Sequence, residues 1–442
     1  MKKVLILAYD FPPYVSVGGL RPYYWYKHLY EFDVYPIVVT RQWNNKYGNY
    51  LDYIAPSESS KIEIEQTEIG EIIKTPYVPN FANKLMLKYG ESKFIFLRKI
   101  VSAFYDLFQW VFIIGPKSQL YFAADNYLKT NTVDIIVVTG NPFILFKYAS
   151  KLSKKYSIPW FADYRDSWSQ DIFIKNNFFS KHWNTFLEKK YSQNSLLSIT
   201  VGDLYKKQIN SLLNNKTIFI IPNGYDSEAI QNVSKINQTN EILNIGYAGT
   251  IYEWHPIKSF LNVVSNFITK NKSVELRINF YGINIESELN KMISIEFPDL
   301  KSTTFIFPKK TNHILMQLLA KNNIMLLFND YDVSGTKIFD YLGLKRTIIL
   351  CYKDDMGAKE LKNKFYKLHE NNSTVIDVQE DIINNTNSGV VAKDANHLLI
   401  LLENFYAEFK KNGFIKCNSI NTEQFSRKFQ VQKLAEIIKQ NC

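Results

Sequence analysis

The stretch DVSGTKIFDYLG, residues 332–343, sets three small residues, Ser334, Gly335 and Thr336, before a helix-like run. Lys337 follows at once and Asp340 stands one turn later. Unpaired amides at a helix start carry partial positive charge, and an adjacent lysine adds a full one. A carboxylate only accepts hydrogen bonds, so Asp340 suits sugar hydroxyls. These residue types in this order suit a nucleoside diphosphate with its ribose close by. The plainer alternative is an ordinary helix start with an exposed lysine.

Three other loops hold similar chemistry. FPPYVSVGGLRPY (11–23) offers Gly18 and Gly19 for close backbone approach to an anion, with Arg21 as a cation, although a Gly-Gly pair also simply turns a chain. PWFADYRDSW (159–168) ends a strand in Asp163, Arg165 and Asp166. Carboxylates flanking a guanidinium either contact a ligand or form an ion-pair knot that holds the loop. YAGTIYEWHPIK (247–258) brings Gly249, Thr250, Tyr252, His255 and Lys258, of which the last two suit a diphosphate. Neither glycine loop carries the GxGxxG dinucleotide fingerprint. DYD (330–332) fits a three-residue acidic pattern that can hold a divalent metal, a match that chance often produces.

These loops need strands and helices to position them. VLIL (4–7), IIVV (135–138) and IMLLF (324–328) are uninterrupted apolar runs, as expected of strands covered on both faces in a parallel sheet. They alternate with helix-like segments such as 142–156. The pattern restarts at ILNIGYAG (242–249) after a polar stretch, 227–241, that reads as a linker. STVIDV (373–378) reads as a late strand, and TEQFSRKFQVQKLAEIIKQNC as a final amphipathic helix with Phe425, Phe429, Leu434 and Ile437 on one face. Two doubly wound α/β domains in tandem follow, since 442 residues exceed one ordinary core. Ligands in such sheets bind beyond the carboxyl ends of the strands, which makes a cleft between the two domains the expected site.

Composition limits the partners. Lys and Arg outnumber Asp and Glu by 53 to 42, a net charge of +11 that favours anionic ligands or surfaces. The basic residues are scattered without an aromatic-basic motif, so nucleic acid is not an expected partner. Cys351, Cys417 and Cys442 form no CxxC pair, which argues against a zinc site or disulfide framework and fits a cytoplasmic setting. MKKVLILAYDFPP reads as a buried first strand rather than a signal peptide, because Asp10 and two prolines break its apolar run. No uncharged apolar stretch of about 20 residues is present to span a membrane. The nearest, 94–117, is interrupted by Arg98, Lys99 and Asp106, and reads either as an interfacial amphipathic helix or as a core helix.

In combination, FPPYVSVGGLR, TGNPF, PWFADYRDSW, IPNGYD, YAGTIY and SGTKIFDYLGLKRTII resemble the segments of glycosyltransferase family 4, in the same order over residues 1 to 350. DYRDSW is similar to the RDPW-type segment of one subgroup. The resemblance implies a GT-B fold, with two Rossmann-like domains facing across a cleft: 1–225 for the acceptor, 226–420 for the donor, and 421–442 a helix returning to the first domain. It implies retaining, metal-independent transfer from a nucleotide diphosphate sugar, with no cofactor, to a glycan or lipid-diphosphate-linked acceptor in bacterial surface polysaccharide assembly. The setting implied is cytoplasmic, peripheral on an anionic membrane surface if 94–117 touches lipid. Asp163, Arg165 and Asp166 become the catalytic-side candidates. Gly18, Gly19, Arg21, Gly249, Thr250, Tyr252, His255, Lys258, Asp332, Ser334, Gly335, Thr336, Lys337 and Asp340 become the donor-side candidates. Asp332 and Asp340 stand where the family's paired glutamates are expected, each one methylene shorter, and the family's usual catalytic-side histidine has no counterpart. A catalytically degenerate regulatory or scaffold subunit of the same fold is the alternative.

Overall fold

The computed structural model describes residues 1–14, 16–44, 50–170, 178–271, 273–366 and 377–442. The chain divides into two compact units, residues 1–222 with 430–442, and residues 223–429. The sequence reading set its divisions after residues 225 and 420.

The first unit is built on strands β1 (Lys2–Leu7), β2 (Val34–Arg41), β3 (Glu63–Thr67), β4 (Gly70–Thr75), β5 (Ile135–Gly140), β6 (Trp160–Tyr164), β7 (Leu197–Thr200) and β8 (Ile218–Ile220). Their order is β3-β4-β2-β1-β5-β6-β7-β8, parallel except for the antiparallel edge strand β3. The hairpin β3–β4 was not expected, because EIEQT is polar and fully exposed and carries no strand signal from burial. The central strands are apolar on both faces because helices cover both. Leu5 and Leu7 pack on one side with Leu145 and Leu152, while Val4 and Ile6 pack on the other. That second side also receives Val431, Leu434, Ala435 and Ile438 of the final helix, Arg427–Asn441. Phe425 precedes this helix and packs on Phe339 in the second unit, so it does not share the expected face.

The second unit holds β9 (Leu243–Ala248), β10 (Leu276–Tyr281), β11 (Thr304–Phe307), β12 (Ile324–Phe328), β13 (Thr347–Cys351) and β14 (Gly389–Ala392). Their order is β11-β10-β9-β12-β13-β14, all parallel. In each sheet the first strand of the unit sits beside the strand where the order reverses: β1 beside β5, and β9 beside β12. The loops after those strands are the natural ligand positions of a doubly wound sheet. The expected linker at 227–241 begins instead with a helix, Ser227–Val233, whose first amides are capped by the Asp226 carboxylate. A polar composition reads as loop until the capping residue is recognised. Residues 373–376 of the expected late strand lie outside the described residues, and Val378 already opens a helix, Val378–Thr386.

Of the segment 94–117, Trp110 and Ile113 pack against the core of the first unit. Residues Ile95–Phe108 form a helix in which no residue is buried.

Candidate functional site

In the second unit, the carboxyl ends of β9 and β12 place Gly249 and Asp330 on adjacent loops. Beyond Asp330 the chain turns through Gly335, whose φ of +65° favours glycine, and enters the helix Lys337–Leu344. Thr336 precedes that helix without a side-chain capping bond. By contrast, Ser16 caps the helix Val17–His28 by accepting from the Gly19 amide at 2.9 Å. The start of Lys337–Leu344 thus keeps its amides for another acceptor.

Lys337 folds back over the end of β9. Its ammonium donates to the Tyr247 hydroxyl and to the Thr250 carbonyl, each at 2.6 Å, and lies 4.5 Å from the Tyr247 ring. Gly249 makes room for it: with φ at +84°, a Cβ there would stand 3.3 Å from Lys337 Cε. Burial pushes the Lys337 ammonium down to about 8, and the Asp330 carboxylate works in the opposite direction. An ammonium has three hydrogens, two of which are committed here, so one remains to meet a ligand.

His255 is not a cation poised for a diphosphate. The Tyr252 amide donates to its Nδ1 at 3.2 Å, so Nε2 carries the hydrogen and donates to Asp330 Oδ1 at 2.9 Å. Burial lowers its basicity, outweighing the pull of Asp330, so the contact is a neutral imidazole on a carboxylate. Trp254 Nε1 also donates to Asp330 Oδ1 at 3.3 Å, and Gln379 Nε2 to Oδ2 at 3.4 Å. Tyr252 stacks on Trp254 at 4.5 Å with its ring partly exposed. Lys258 does not join the group; it pairs with Glu296 on the surface. The acid whose charge acts on Lys337 is Asp330, whereas Asp332 acts on Lys362. Asp330 was read only as part of DYD, and its organising role depends on Trp254, His255 and Gln379, which are remote in sequence.

Ser334 contributes its carbonyl to Gln379 at 3.1 Å, holding the turn before Lys337. Asp340 sits one turn into the helix, half-buried. Burial pushes its carboxyl up to about 6, with Arg427 opposing and Asp226 reinforcing the shift.

In the first unit, Asp163 and Arg21 take each other out of reach of a substrate. Asp163 is 0 % exposed at the end of β6 and accepts from Arg21 Nη2 at 2.8 Å and Nε at 3.0 Å. Arg21 Nη1 donates to the Ile221 carbonyl at 2.9 Å. This is the ion-pair knot of the two alternatives; it locks the end of β6 to the helix Val17–His28 and to the segment after β8. Asp163, expected on the catalytic side, and Arg21, expected on the donor side, are thus held by each other.

Arg165 does lie at the strand ends, where its Nη2 donates to the Asn141 carbonyl at 2.9 Å just after β5. Gly18 lets the guanidinium lie close: a Cβ on it would stand 1.7 Å from Arg165 Nη1, so the arginine would have to shift. Asp166 is half-exposed and 3.6 Å from Arg165 Nε. Trp168 packs in a stack with Phe143 at 4.9 Å and Trp110 at 5.4 Å, so the end of the DYRDSW block is structural. Asp10, absent from the sequence candidates, accepts from the Ser16 hydroxyl at 2.9 Å and feels the charges of Arg165 and Lys117. A lone acid in an apolar run gave no signal by itself.

No family model matches the chain, and no curated protein matches it in sequence. Solved structures match over its whole length. Sucrose-phosphate synthase from Thermosynechococcus elongatus aligns with a TM-score of 0.56 at 11% identity, covering 100% of this chain and 99% of that one. The catalytic domain of starch synthase IV from Arabidopsis thaliana, bound to ADP and acarbose, gives 0.56 at 12% identity, covering 100% and 99%. HepE of Anabaena, in complex with UDP-glucose, gives 0.52 at 11% identity and covers 100% of both chains. At such identity the likeness shows the fold: an α/β GT-B architecture of two Rossmann-like units.

Proposed function

We propose that the chain is a retaining glycosyltransferase of the family 4 kind, the subgroup with an RDPW-like segment. Its second unit takes a nucleotide diphosphate sugar and its first unit the acceptor. The observation that carries this reading is Lys337, a desolvated ammonium with one uncommitted hydrogen at an uncapped helix start, on the switch-point loops of a doubly wound sheet. The ADP and UDP-glucose held by two structures of the same fold support it.

In the reaction, the bond from the anomeric carbon to the diphosphate oxygen breaks while the acceptor oxygen attacks from the same face. The departing diphosphate takes the acceptor's proton. Lys337 and the amides beside Thr336 stabilise the charge that gathers on the leaving oxygen, which needs no metal. Asp340 accepts from the ribose, and Tyr252 offers its exposed ring face to the donor. The acceptor is a glycan or a lipid-diphosphate-linked glycan of bacterial surface polysaccharide assembly, met on the cytoplasmic side of the membrane.

The test is incubation with a panel of nucleotide sugars, following release of nucleoside diphosphate with EDTA present. Release that depends on Lys337 supports the reading; no release from any donor, with or without glycan acceptors, counts against it. One observation favours the alternative, a degenerate regulatory or scaffold subunit: Asp163 is sequestered by Arg21 and His255 by Asp330. Nucleotide binding without release or transfer would select that alternative.

A further inference from the structure

The first unit carries an apolar surface that the described residues leave exposed. In the helix Ile95–Phe108, Phe96, Ile100 and Phe104 repeat every four residues along one face and are 78%, 51% and 50% exposed. In the helix Phe178–Ser192, Phe179, Trp183 and Phe186 fall at spacings of four and three residues, which also share a face, with Phe179 82% exposed. The two helices are fastened to the same point. The Tyr191 hydroxyl donates to the Trp110 carbonyl at 3.1 Å and the two rings stack at 5.7 Å. The buried Lys147 ammonium donates to the carbonyls of Gln109 and Phe112. A segment held this firmly, yet with no residue of its main helix buried, does not owe its apolar side chains to the core.

The charge around these faces identifies what covers them. Residues 81–117 hold six Lys or Arg against two acids, Glu91 and Asp106. Lys181, Lys189 and Lys190 add to this on the second helix, where the sole acid, Glu188, is buried and accepts from the Ser169 amide. A second copy seated here would set like charge against like. An anionic bilayer presents the opposite charge at the headgroups and an apolar layer beneath. Fourteen helical residues span only about 21 Å, short of the hydrocarbon core of about 30 Å. Among the described residues no helix is long and apolar enough to cross a membrane.

We propose that the helices Ile95–Phe108 and Phe178–Ser192 form a face that seats the first unit in the headgroup region of an anionic lipid bilayer. The proposal builds on the glycosyl-transfer reading, since a membrane seat would meet a lipid-linked acceptor where such molecules reside. Trp110 is not part of the seat: its stack with Trp168 and Tyr191 makes it an anchor of the fold.

The test uses the full chain in co-sedimentation with vesicles of phosphatidylcholine alone or of equimolar phosphatidylcholine and phosphatidylglycerol. Binding to the mixed vesicles, weakened by high salt, is expected. The triple variant Phe96→Ser, Phe104→Ser, Phe179→Ser should lose about tenfold in partitioning while its circular dichroism stays unchanged. A second variant, Lys93→Gln, Arg98→Gln, Lys99→Gln, leaves the apolar side chains in place and should weaken binding to the anionic vesicles. The proposal is overturned if wild type ignores the mixed vesicles, if both variants bind as wild type does, or if the apolar residues instead support a dimer in lipid-free solution. Nucleoside diphosphate binding is measured in parallel. Its loss in wild type would remove the transfer reading and leave vesicle binding standing; its retention without vesicle binding would do the reverse.

Discussion

At the residue scale, Lys337 and Asp163 show how the same residue types take opposite roles. Both are charged groups near strand ends, and the sequence singled out both. Lys337 keeps a hydrogen for a ligand, while Asp163 is enclosed with Arg21. Strand-end position was legible; the partner was not, because Arg21 lies far away in sequence and only the sheet order brings them together. Replacing Asp163 by Asn leaves the Arg21 guanidinium buried without its counter-charge. The expected cost is about 3–5 kcal/mol, read as a lowered urea midpoint. An unchanged midpoint would show that the pair does not hold the fold. Lys337 also predicts a pH dependence. Its ammonium titrates at about 8 when unliganded, and a diphosphate binds the charged form. Affinity for a nucleoside diphosphate should therefore fall as pH rises through that value, and Lys337→Arg should flatten the profile. Asp340 runs the other way for stability. Its carboxyl is raised from 3.8 to about 6, so the neutral form is favoured by folding. The contribution is complete below the lower value and is lost as pH rises through the upper one. Asp340→Asn should then raise Tm at neutral pH and change it little near pH 4, by calorimetric scanning.

At the element scale, apolar runs located the central strands of both sheets, since parallel strands covered on both faces leave that signature. The exposed strand β3 and the helix Ser227–Val233 escaped because neither has an apolar run; the first is fixed by its hairpin partner and the second by its Asp226 cap. The helix Lys337–Leu344 was legible from SGTK, and its first amides were read there as open to an anion, one of the two alternatives that stretch allowed. Gly335 holds the turn that leads into it at a φ of +65°. Gly335→Ala should cost about 1 kcal/mol in stability and misdirect the amides that follow, weakening nucleotide binding. Gly335→Asn, which tolerates that conformation, should recover part of both. Equal nucleotide binding by the Ala variant and wild type would show that the turn does not shape the site.

At the scale of the whole molecule, two doubly wound units were readable from the restart of the strand-helix pattern near residue 242, and the fold matches GT-B structures from end to end. The exposed helix Ile95–Phe108 was readable only as a choice between core and interface, because apolar spacing alone looks the same in both. The claim on which the account turns is that the second unit binds a nucleoside diphosphate through Lys337. Isothermal titration of UDP, ADP and GDP into wild type and Lys337→Ala at neutral pH tests it directly. One or more of the three should bind wild type, with the variant weakened by about 2 kcal/mol, roughly thirtyfold in Kd. Heats indistinguishable from dilution for all three, or equal affinity in the variant, would contradict it.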